Sequence, residues 1–164
     1  MQYMNKAYLL IGGNVGNRQQ NLQQAVTAIN NSCGRVLQQS AVYETAAWGK
    51  TDQQAFLNQA LLIHTDFTPH QLLEHALEAE ALLGRVRKEK YGPRLIDIDI
   101  LFFNNDIIRE TALIIPHPEV QNRRFALAPL VEIAPKLLHP VLHKTISQLL
   151  DECPDMLEVT KTSY

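Results

Sequence analysis

The sequence predicts an α+β fold in which helices pack on one face of an antiparallel sheet. Three observations support this prediction. Two successive stretches of the chain have the pattern strand, helix, strand, and both helices begin with residues typical of helix N-termini. The final third instead contains short helical segments separated by prolines. A length of 164 residues fits one domain, so residues 1–164 are expected to form a single domain.

The first strand–helix–strand unit covers residues 7–45. Its opening apolar run, residues 7–11, predicts a strand, and the glycine-rich turn that follows lacks the Gly-Lys-Ser/Thr ending of a phosphate loop. Asn17 is placed as a helix N-cap, and apolar residues then recur at helical spacing. Gly34 is expected to end this helix. Residues 35–45 are predicted to form one strand.

The second unit begins with a strand predicted over residues 56–67. The segment Thr68-Pro69-His70-Gln71 follows, and it is typical of a helix start. Threonine is a good N-cap, proline fits the first helical position, and glutamine completes a capping box. Gly84 ends this helix, and residues 95–103 supply the last strand of the unit. Two split units of this length predict the ferredoxin-like arrangement.

The rest of the chain is expected to form a helical C-terminal extension. Asn104-Asn105-Asp106 has the composition of a turn, which predicts a short returning strand at residues 107–108. The segment Thr145-Ile146-Ser147-Gln148 predicts one more capped helix. Residues from Pro154 onward are expected to form a loosely held tail.

The composition excludes several classes of protein. Hydrophobic residues make up 46% and charged residues 20%, which excludes disorder of the whole chain. The net charge of −2 argues against a general nucleic-acid partner. Two distant cysteines without a CxxC pair predict reduced thiols and a cytoplasmic location. Residues 7–11 are too short for a signal peptide or a membrane span, so no membrane partner is expected.

A pair of acidic residues stands in the last predicted strand of the second unit, within Arg-Leu-Ile-Asp-Ile-Asp-Ile-Leu over residues 94–101. Side chains alternate along a strand, so Asp97 and Asp99 point to one face. At roughly 3.3 Å per residue, their Cα atoms are expected about 6.6 Å apart. Like charges on one face repel unless a cation lies between them. The pair predicts a site for Mg²⁺ and phosphate oxygens, with two solvent-exposed acids as the alternative.

A basic segment, residues 85–94, directly precedes this strand. It contains five basic residues and one acid in a chain whose net charge is −2. Arginine is suited to bidentate phosphate contacts, and the Gly92-Pro93 turn would aim Arg94 at the start of the strand. Carboxylates, a metal ion and arginines are the usual parts of phosphoryl transfer. An ordinary solvated run of charges is the alternative.

Residues 90–101, Lys-Tyr-Gly-Pro-Arg-Leu-Ile-Asp-Ile-Asp-Ile-Leu, resemble the signature of the 6-hydroxymethyl-7,8-dihydropterin pyrophosphokinases of folate biosynthesis. The resemblance extends from residue 7 to about residue 150. Further matching segments are Ile11-Gly12-Gly13-Asn14, Tyr43-Glu44-Thr45, Phe56-Leu57-Asn58, Gly84-Arg85-Val86-Arg87, Pro116-His117-Pro118 and Asn122-Arg123-Arg124-Phe125.

The resemblance implies a ferredoxin-like fold and an enzyme that moves the β,γ-pyrophosphoryl group of ATP to the hydroxymethyl oxygen of the pterin, releasing AMP. The protein is expected to be a monomer with small-molecule partners only. It implies catalytic roles for Arg87, Arg94, Asp97 and Asp99, with two Mg²⁺ ions on the aspartates. The residues implied to bind ATP are Glu80, Arg87, Lys88, Tyr91, Arg94, Ile100, His117 and Arg123. The residues implied to bind the pterin are Thr45, Ala46, Trp48, Phe56, Asn58, Asp97 and Phe125.

Two other functions compete with this one. A two-metal nucleotidyltransferase also pairs a glycine-rich turn with Asp-x-Asp on a strand, but it releases pyrophosphate. An RNA-recognition module could share the fold and the basic segment. Such a module needs aromatic residues on the exposed sheet face for base stacking, whereas this strand offers Asp97 and Asp99 there.

Overall fold

The structure is a computed structural model that describes residues 4–46, 53–84 and 95–164. The elements follow one another as β1 (Asn5–Gly13), α1 (Arg18–Ser32), β2 (Arg35–Gln39), β3 (Tyr43–Thr45), β4 (Phe56–Thr65), α2 (Pro69–Leu82), β5 (Asp97–Phe103), β6 (Ile108–Arg109), β7 (Ile114–Ile115), a 3₁₀ turn (Val120–Asn122), α3 (Arg124–Ile133), α4 (Ile146–Asp151) and β8 (Val159–Lys161). None of the helices within these described ranges is long and apolar enough to span a membrane.

The main sheet has the strand order β5-β1-β4-β3-β8, and β2 also pairs with β4. Every pairing in it is antiparallel. The predicted α+β fold, with helices packed on an antiparallel sheet, is therefore confirmed. The single strand expected over residues 35–45 is instead two strands. They separate at Ser40, whose Oγ accepts the Ala60 N–H at 2.9 Å in place of a backbone carbonyl.

One face of the sheet packs against α1 and α2. Leu9 and Ile11 of β1 and Ile100 of β5 point to this side, where Leu22 of α1 and Leu72 of α2 cover them. All five side chains are buried. The alternation of these apolar residues along β1 and β5 fixes which face of each strand is turned to the helices.

The second face of the sheet packs against α3 and α4 of the C-terminal third, whereas the helices of the two strand–helix–strand units, α1 and α2, share one face as expected. Leu10 of β1 and Phe102 of β5 are apolar on this side as well. Leu127 of α3 and Leu149 of α4 bury them. α3 also continues through Pro129, so not every proline of the final third separates two helical segments. The candidate site lies at the polar end of this second face.

Local signals at the helix starts are confirmed. The Thr68 hydroxyl accepts the Gln71 N–H at 3.2 Å, and the Gln71 side chain accepts the Thr68 N–H at 2.9 Å. Thr145 and Gln148 form the same capping box at the start of α4, with distances of 3.2 and 2.8 Å. Each box satisfies two N–H groups that a helix N-terminus otherwise leaves without intrahelical partners.

Two expectations about the later part of the chain are wrong. The strand after the Asn104 turn does not return along β5, because it pairs with β7 in a separate two-stranded sheet. The segment after Pro154 is not loosely held. Residues 159–161 form β8, which pairs with β3, and the Thr162 N–H donates to the Val42 carbonyl at 2.9 Å. β3 would otherwise leave unpaired backbone groups at the sheet edge, and β8 satisfies them.

Candidate active site

Strand register brings four residues side by side across the sheet. Asp97 of β5 pairs with Gly12 of β1, Gly12 pairs with Asn58 of β4, and Asn58 pairs with Tyr43 of β3. Directly paired residues point to the same face of a sheet. The Tyr43 hydroxyl donates to Glu132 Oε1 of α3 at 2.6 Å, so this is the face on which α3 packs. We refer to Asp97, Gly12, Asn58 and Tyr43 as the polar row.

The glycine in the polar row leaves space for the side chain beside it. A Cβ added at Gly12 would overlap Asn58 Oδ1. Asn58 is only 5% exposed, so its carboxamide is held against the sheet and lies over the glycine. A glycine inside a strand often marks such a close approach.

The two aspartates of β5 lie on this same face. Asp97 pairs with Gly12, and Asp99 pairs with Leu10, which belongs to the second-face core. Both aspartates are partly exposed, whereas Ile98 between them is buried on the other side. Two carboxylates on one strand face are hard oxygen ligands that fit Mg²⁺, which commonly takes one or two carboxylates together with substrate phosphates. Among the described residues, no cluster of three or more His, Cys, Asp or Glu side chains is arranged to hold a metal ion.

The edge of β5 is anchored by a buried acid from α2. Glu80 is 5% exposed, and its Oε2 accepts the Ile98 N–H at 2.6 Å. Backbone groups of alternate residues point the same way in an antiparallel strand, so the N–H and C=O of Ile100 face this edge too. The Ile100 side chain is buried in the core against α1 and α2. Only its backbone is therefore placed to contact a ligand.

The other end of the polar row combines an aromatic ring with a buried hydroxyl. Phe56 precedes Asn58 by two residues on β4 and pairs with Thr45 of β3, so all three share the face. Thr45 is 3% exposed, and within the described structure its Oγ1 has no hydrogen-bond partner. Ala46, the next residue, is exposed. A buried hydroxyl without a partner beside an aromatic ring suits a flat ligand with polar edges.

The start of α3 brings an arginine and a second aromatic ring to the same face. Phe125 is partly buried against the second-face core. The guanidinium carbon of Arg123 lies 5.7 Å from the centre of the Phe125 ring, within cation–π range. The sequence predicted both residues as ligand contacts, and the structure places them together at the N-terminus of one helix.

His117 lies beside β5 and carries no charge at neutral pH. The backbone N–H of His117 donates to the Leu101 carbonyl at 2.9 Å, which fixes the backbone of this residue next to the strand. Burial, together with the nearby Arg123 guanidinium, lowers the pKa of His117 to about 4, although Glu119 opposes this. Nδ1 accepts the Glu119 N–H at 3.1 Å, so the proton of the neutral ring is on Nε2. The side chain is therefore a neutral hydrogen-bond donor.

Five of the predicted site residues, namely Trp48, Arg87, Lys88, Tyr91 and Arg94, lie outside the described residues. Their assignments stay predictions. Sequence reasoning also missed two contributors, the space at Gly12 and the contact of Glu132 with Tyr43. The only sequence signal for the first was a glycine at the end of a strand.

The candidate site combines charged and polar groups with flat apolar surfaces. The charged and polar groups are paired carboxylates, a neutral histidine that donates a hydrogen bond, an arginine and a buried amide, and the apolar surfaces are two aromatic rings. This combination suits an enzyme that binds a phosphorylated ligand beside a flat heterocycle. Comparisons with known proteins specify the class further.

Residues 8–135 match the family model described as 7,8-dihydro-6-hydroxymethylpterin-pyrophosphokinase (HPPK). A 2-amino-4-hydroxy-6-hydroxymethyldihydropteridine pyrophosphokinase of Methylorubrum extorquens is 47% identical over 136 residues, covering 82% of this chain and 86% of the relative. The enzyme of the same name from Bacillus subtilis is 44% identical over 130 residues, covering 79% and 78%. The chain belongs to the 7,8-dihydro-6-hydroxymethylpterin-pyrophosphokinase family.

The fold is also similar to a solved structure. Wild-type HPPK-DHPS of Plasmodium falciparum with STZ-DHP superposes with a TM-score of 0.77 at 19% identity. The match covers 92% of this chain but only 43% of that one. This likeness supports the fold alone.

Proposed function

We propose that the protein transfers the β,γ-pyrophosphoryl group of ATP to the hydroxymethyl oxygen of 6-hydroxymethyl-7,8-dihydropterin, giving AMP and the pterin diphosphate in folate biosynthesis. Membership of the family supports this reaction. The observation that carries it is the polar row, in which Asp97 lies one strand away from Gly12 and two from Asn58. The carboxylate proposed to bind metal and the amide proposed to bind the heterocycle thus share one sheet face, on either side of Gly12.

The pterin-binding part of the proposal depends on polar and aromatic groups around Asn58. Its carboxamide offers both donors and acceptors, which match the amide-like edge of a pterin ring. The Thr45 hydroxyl and backbone groups near Ala46 and Trp48 would contact the remaining edge. Phe56 and Phe125 would stack on the two faces of the ring. Binding would satisfy the Thr45 oxygen, which is buried without a partner among the described residues.

The ATP-binding part of the proposal lies along β5 and the N-terminus of α3. His117 would donate through Nε2 to a phosphate oxygen, and Arg123 would contribute a fixed positive charge. The remaining proposed contacts to the triphosphate are Arg87, Lys88, Tyr91 and Arg94. Glu80 and the outward-facing backbone of Ile100 would contact the nucleoside. A neutral histidine can donate this hydrogen bond without carrying a positive charge. The contact therefore does not depend on protonation of the ring.

Asp97 and Asp99 would hold two Mg²⁺ ions. When bound, these ions would supply positive charge that stabilises the negative charge developing during transfer. The protein's own contribution is to position the pterin hydroxyl opposite the β-phosphorus and to place Arg87 and Arg94 near the transferred group. The proposal requires no side chain as a general base: Asp97 would accept the hydroxyl proton, or bound metal would make the hydroxyl acidic enough to lose it to water.

The proposal extends to the architecture and the cellular setting. Two split strand–helix–strand units, joined in the strand order β5-β1-β4 with β5 at the sheet edge, support a ferredoxin-like classification with a helical C-terminal extension. Cys33 and Cys153 are both buried and free, which supports a reducing, cytoplasmic location. All the site residues come from one chain, so a monomer is sufficient. Small molecules, rather than nucleic acid or a membrane, are the proposed partners.

Product analysis tests this function. The protein is incubated with ATP, Mg²⁺ and 6-hydroxymethyl-7,8-dihydropterin, and the nucleotides are separated by chromatography. AMP that forms only when the pterin is present supports the proposal. Release of pyrophosphate with a nucleotidylated pterin would instead indicate the competing nucleotidyltransferase, and folded protein that yields no AMP would exclude the proposed reaction.

A further inference from the structure

The N-terminus of α3 is capped by a residue from the end of the chain. Arg124 is the first residue of α3, and the preceding Arg123 makes no side-chain capping bond of its own. Instead, Asp155 Oδ2 accepts the Arg124 N–H at 3.1 Å, and the Asp155 carbonyl accepts the Arg124 Nε–H at 3.0 Å. A carboxylate in this position satisfies an N–H group that has no intrahelical partner, and it interacts favourably with the helix dipole.

Asp155 is itself held on both sides. Its Oδ1 accepts the Leu157 N–H at 3.0 Å. Two residues earlier, the Cys153 side chain is buried in the core beneath α3 and α4. A few residues later, Val159 of β8 pairs with Thr45 of β3. The carboxylate therefore connects the start of α3 to the core and to the strand that carries Thr45.

The capped residue stands between two residues of the candidate site. Arg123, Arg124 and Phe125 are consecutive, so the position of Arg124 sets the positions of its neighbours. Asp155 lies outside residues 8–135, the part of the chain that matches the family model. The C-terminal segment thus supplies a support for the site that the family match does not include.

We propose that Asp155 is a positioning residue, which fixes Arg123 and Phe125 above the polar row by capping α3 from the C-terminal segment. This inference rests on the proposed function, because it assigns Phe125 to pterin stacking. Without the cap, the first turn of α3 would fray and Phe125 would be in its binding position for only part of the time. Ligand affinity falls by the fraction of time in which the binding arrangement is populated. Saturating ligand selects that arrangement, so the maximal rate is preserved.

Three variants test the proposal. Asp155→Ala removes the cap, whereas Asp155→Asn keeps an oxygen that can accept the Arg124 N–H. Thr145→Ala is the matched control, because it removes a cap of the same kind from a different helix, α4. At saturating ATP and Mg²⁺, Asp155→Ala should raise KM for the pterin about tenfold and leave kcat within about twofold. Asp155→Asn and Thr145→Ala should keep the wild-type KM.

Amide hydrogen exchange supplies a second measurement that does not depend on activity. Asp155→Ala should speed exchange at residues 124–127, and Thr145→Ala should leave those amides as they are in the wild type. Unchanged exchange there, an unchanged pterin KM in Asp155→Ala, or an equal rise of KM in Thr145→Ala would each overturn the proposal. Absence of AMP formation by the wild-type protein overturns the proposed function instead, and the exchange data still decide whether Asp155 fixes α3.

Discussion

The carboxamide of Asn58 lies directly over Gly12, so that any Cβ at position 12 would overlap Asn58 Oδ1. The two residues are register partners on adjacent central strands. On its other side, Gly12 pairs with Asp97. A side chain at position 12 would therefore displace the amide and fill the space between the proposed pterin-binding and metal-binding groups.

Gly12→Ala is predicted to raise KM for the pterin about tenfold or more, because overpacking typically costs about 1–3 kcal/mol. Steady-state kinetics with varied pterin measure this effect. Gly34→Ala is the matched control, because a Cβ there would overlap the backbone oxygen of His64 at the far end of β4. The control should lose stability but keep its pterin KM, and a wild-type KM in Gly12→Ala would contradict the proposed site.

Asp97→Asn and Asp99→Asn are each predicted to lower kcat by at least about 100-fold, since the neutral amide is a poor Mg²⁺ ligand. AMP formation at saturating Mg²⁺ measures this. Asp106→Asn makes the same chemical change in the turn after β5 and should keep the wild-type rate. Near-native turnover by either strand variant would rule out the metal assignment.

His117 is predicted to make stability depend on pH. Its folded pKa of about 4 lies below the ordinary value of 6.5, mainly because of burial and then because of Arg123. Between those values the unfolded chain binds more protons than the folded one, so this contribution to stability is present above pH 6.5 and is lost as pH falls through about 4. Urea unfolding across this range should show that the free energy of unfolding falls less steeply with decreasing pH in His117→Gln than in the wild type. His70→Gln, at an exposed histidine, is the control. An identical decrease in the free energy of unfolding with falling pH in both variants would contradict this account.

Tyr43 is predicted to make stability depend on pH at the alkaline end. Burial and the hydrogen bond to Glu132 raise its pKa from 10.0 to about 12. Its contribution is therefore fully present below pH 10 and is lost as pH rises through about 12. Tyr43→Phe should remove this alkaline loss and lower the free energy of unfolding at neutral pH by about 1 kcal/mol. Tyr164→Phe, at the exposed C-terminal residue, should change neither quantity, and an unchanged alkaline limb in Tyr43→Phe would refute the assignment.

Glu132 is predicted to make the free energy of unfolding depend on pH at the acid end, whereas Tyr43 acts at the alkaline end. Burial alone would raise its pKa, but the hydrogen bonds from Tyr43 and Ala41 and the charge of Lys161 together hold it below the ordinary value. A lowered pKa contributes stability at neutral pH that is lost as pH falls through the folded value. In urea unfolding, Glu132→Gln should reduce the decrease in the free energy of unfolding at acid pH. Glu158→Gln, at an exposed glutamate, is the control. Retention of the full decrease in Glu132→Gln would show that these contacts do not stabilise the carboxylate.

The local features of this fold could be predicted from the sequence because the residues involved are neighbours in the chain. Thr68 and Gln71 are three positions apart, and the capping box they form needs no information from elsewhere. The common face of Asp97 and Asp99 follows from alternation along a single strand. Site residues far from Asp97 and Asp99 in the chain, such as Phe125, were predicted only from the resemblance to a known family. No local sequence pattern links them to the two aspartates.

The remaining features depend on pairings between distant parts of the chain. The position of Gly12 against Asn58 requires the register of β1 on β4, and a shift of one residue would turn Asn58 to the opposite face. Asp155 lies 31 residues from Arg124, and its sequence context resembled an ordinary tail. β8 is only three residues long, so its place beside β3 had no periodic signal to reveal it.

The central claim is that the terminal pyrophosphoryl group of ATP moves intact to the pterin. ATP labelled at the α-phosphorus or at the β-phosphorus distinguishes the possible outcomes most directly, because the pterin product and the free nucleotide can be separated and counted. The account predicts that the β label appears in the pterin product and the α label in AMP. An α label in the pterin product, or a β label found only in ADP or free phosphate, would contradict it.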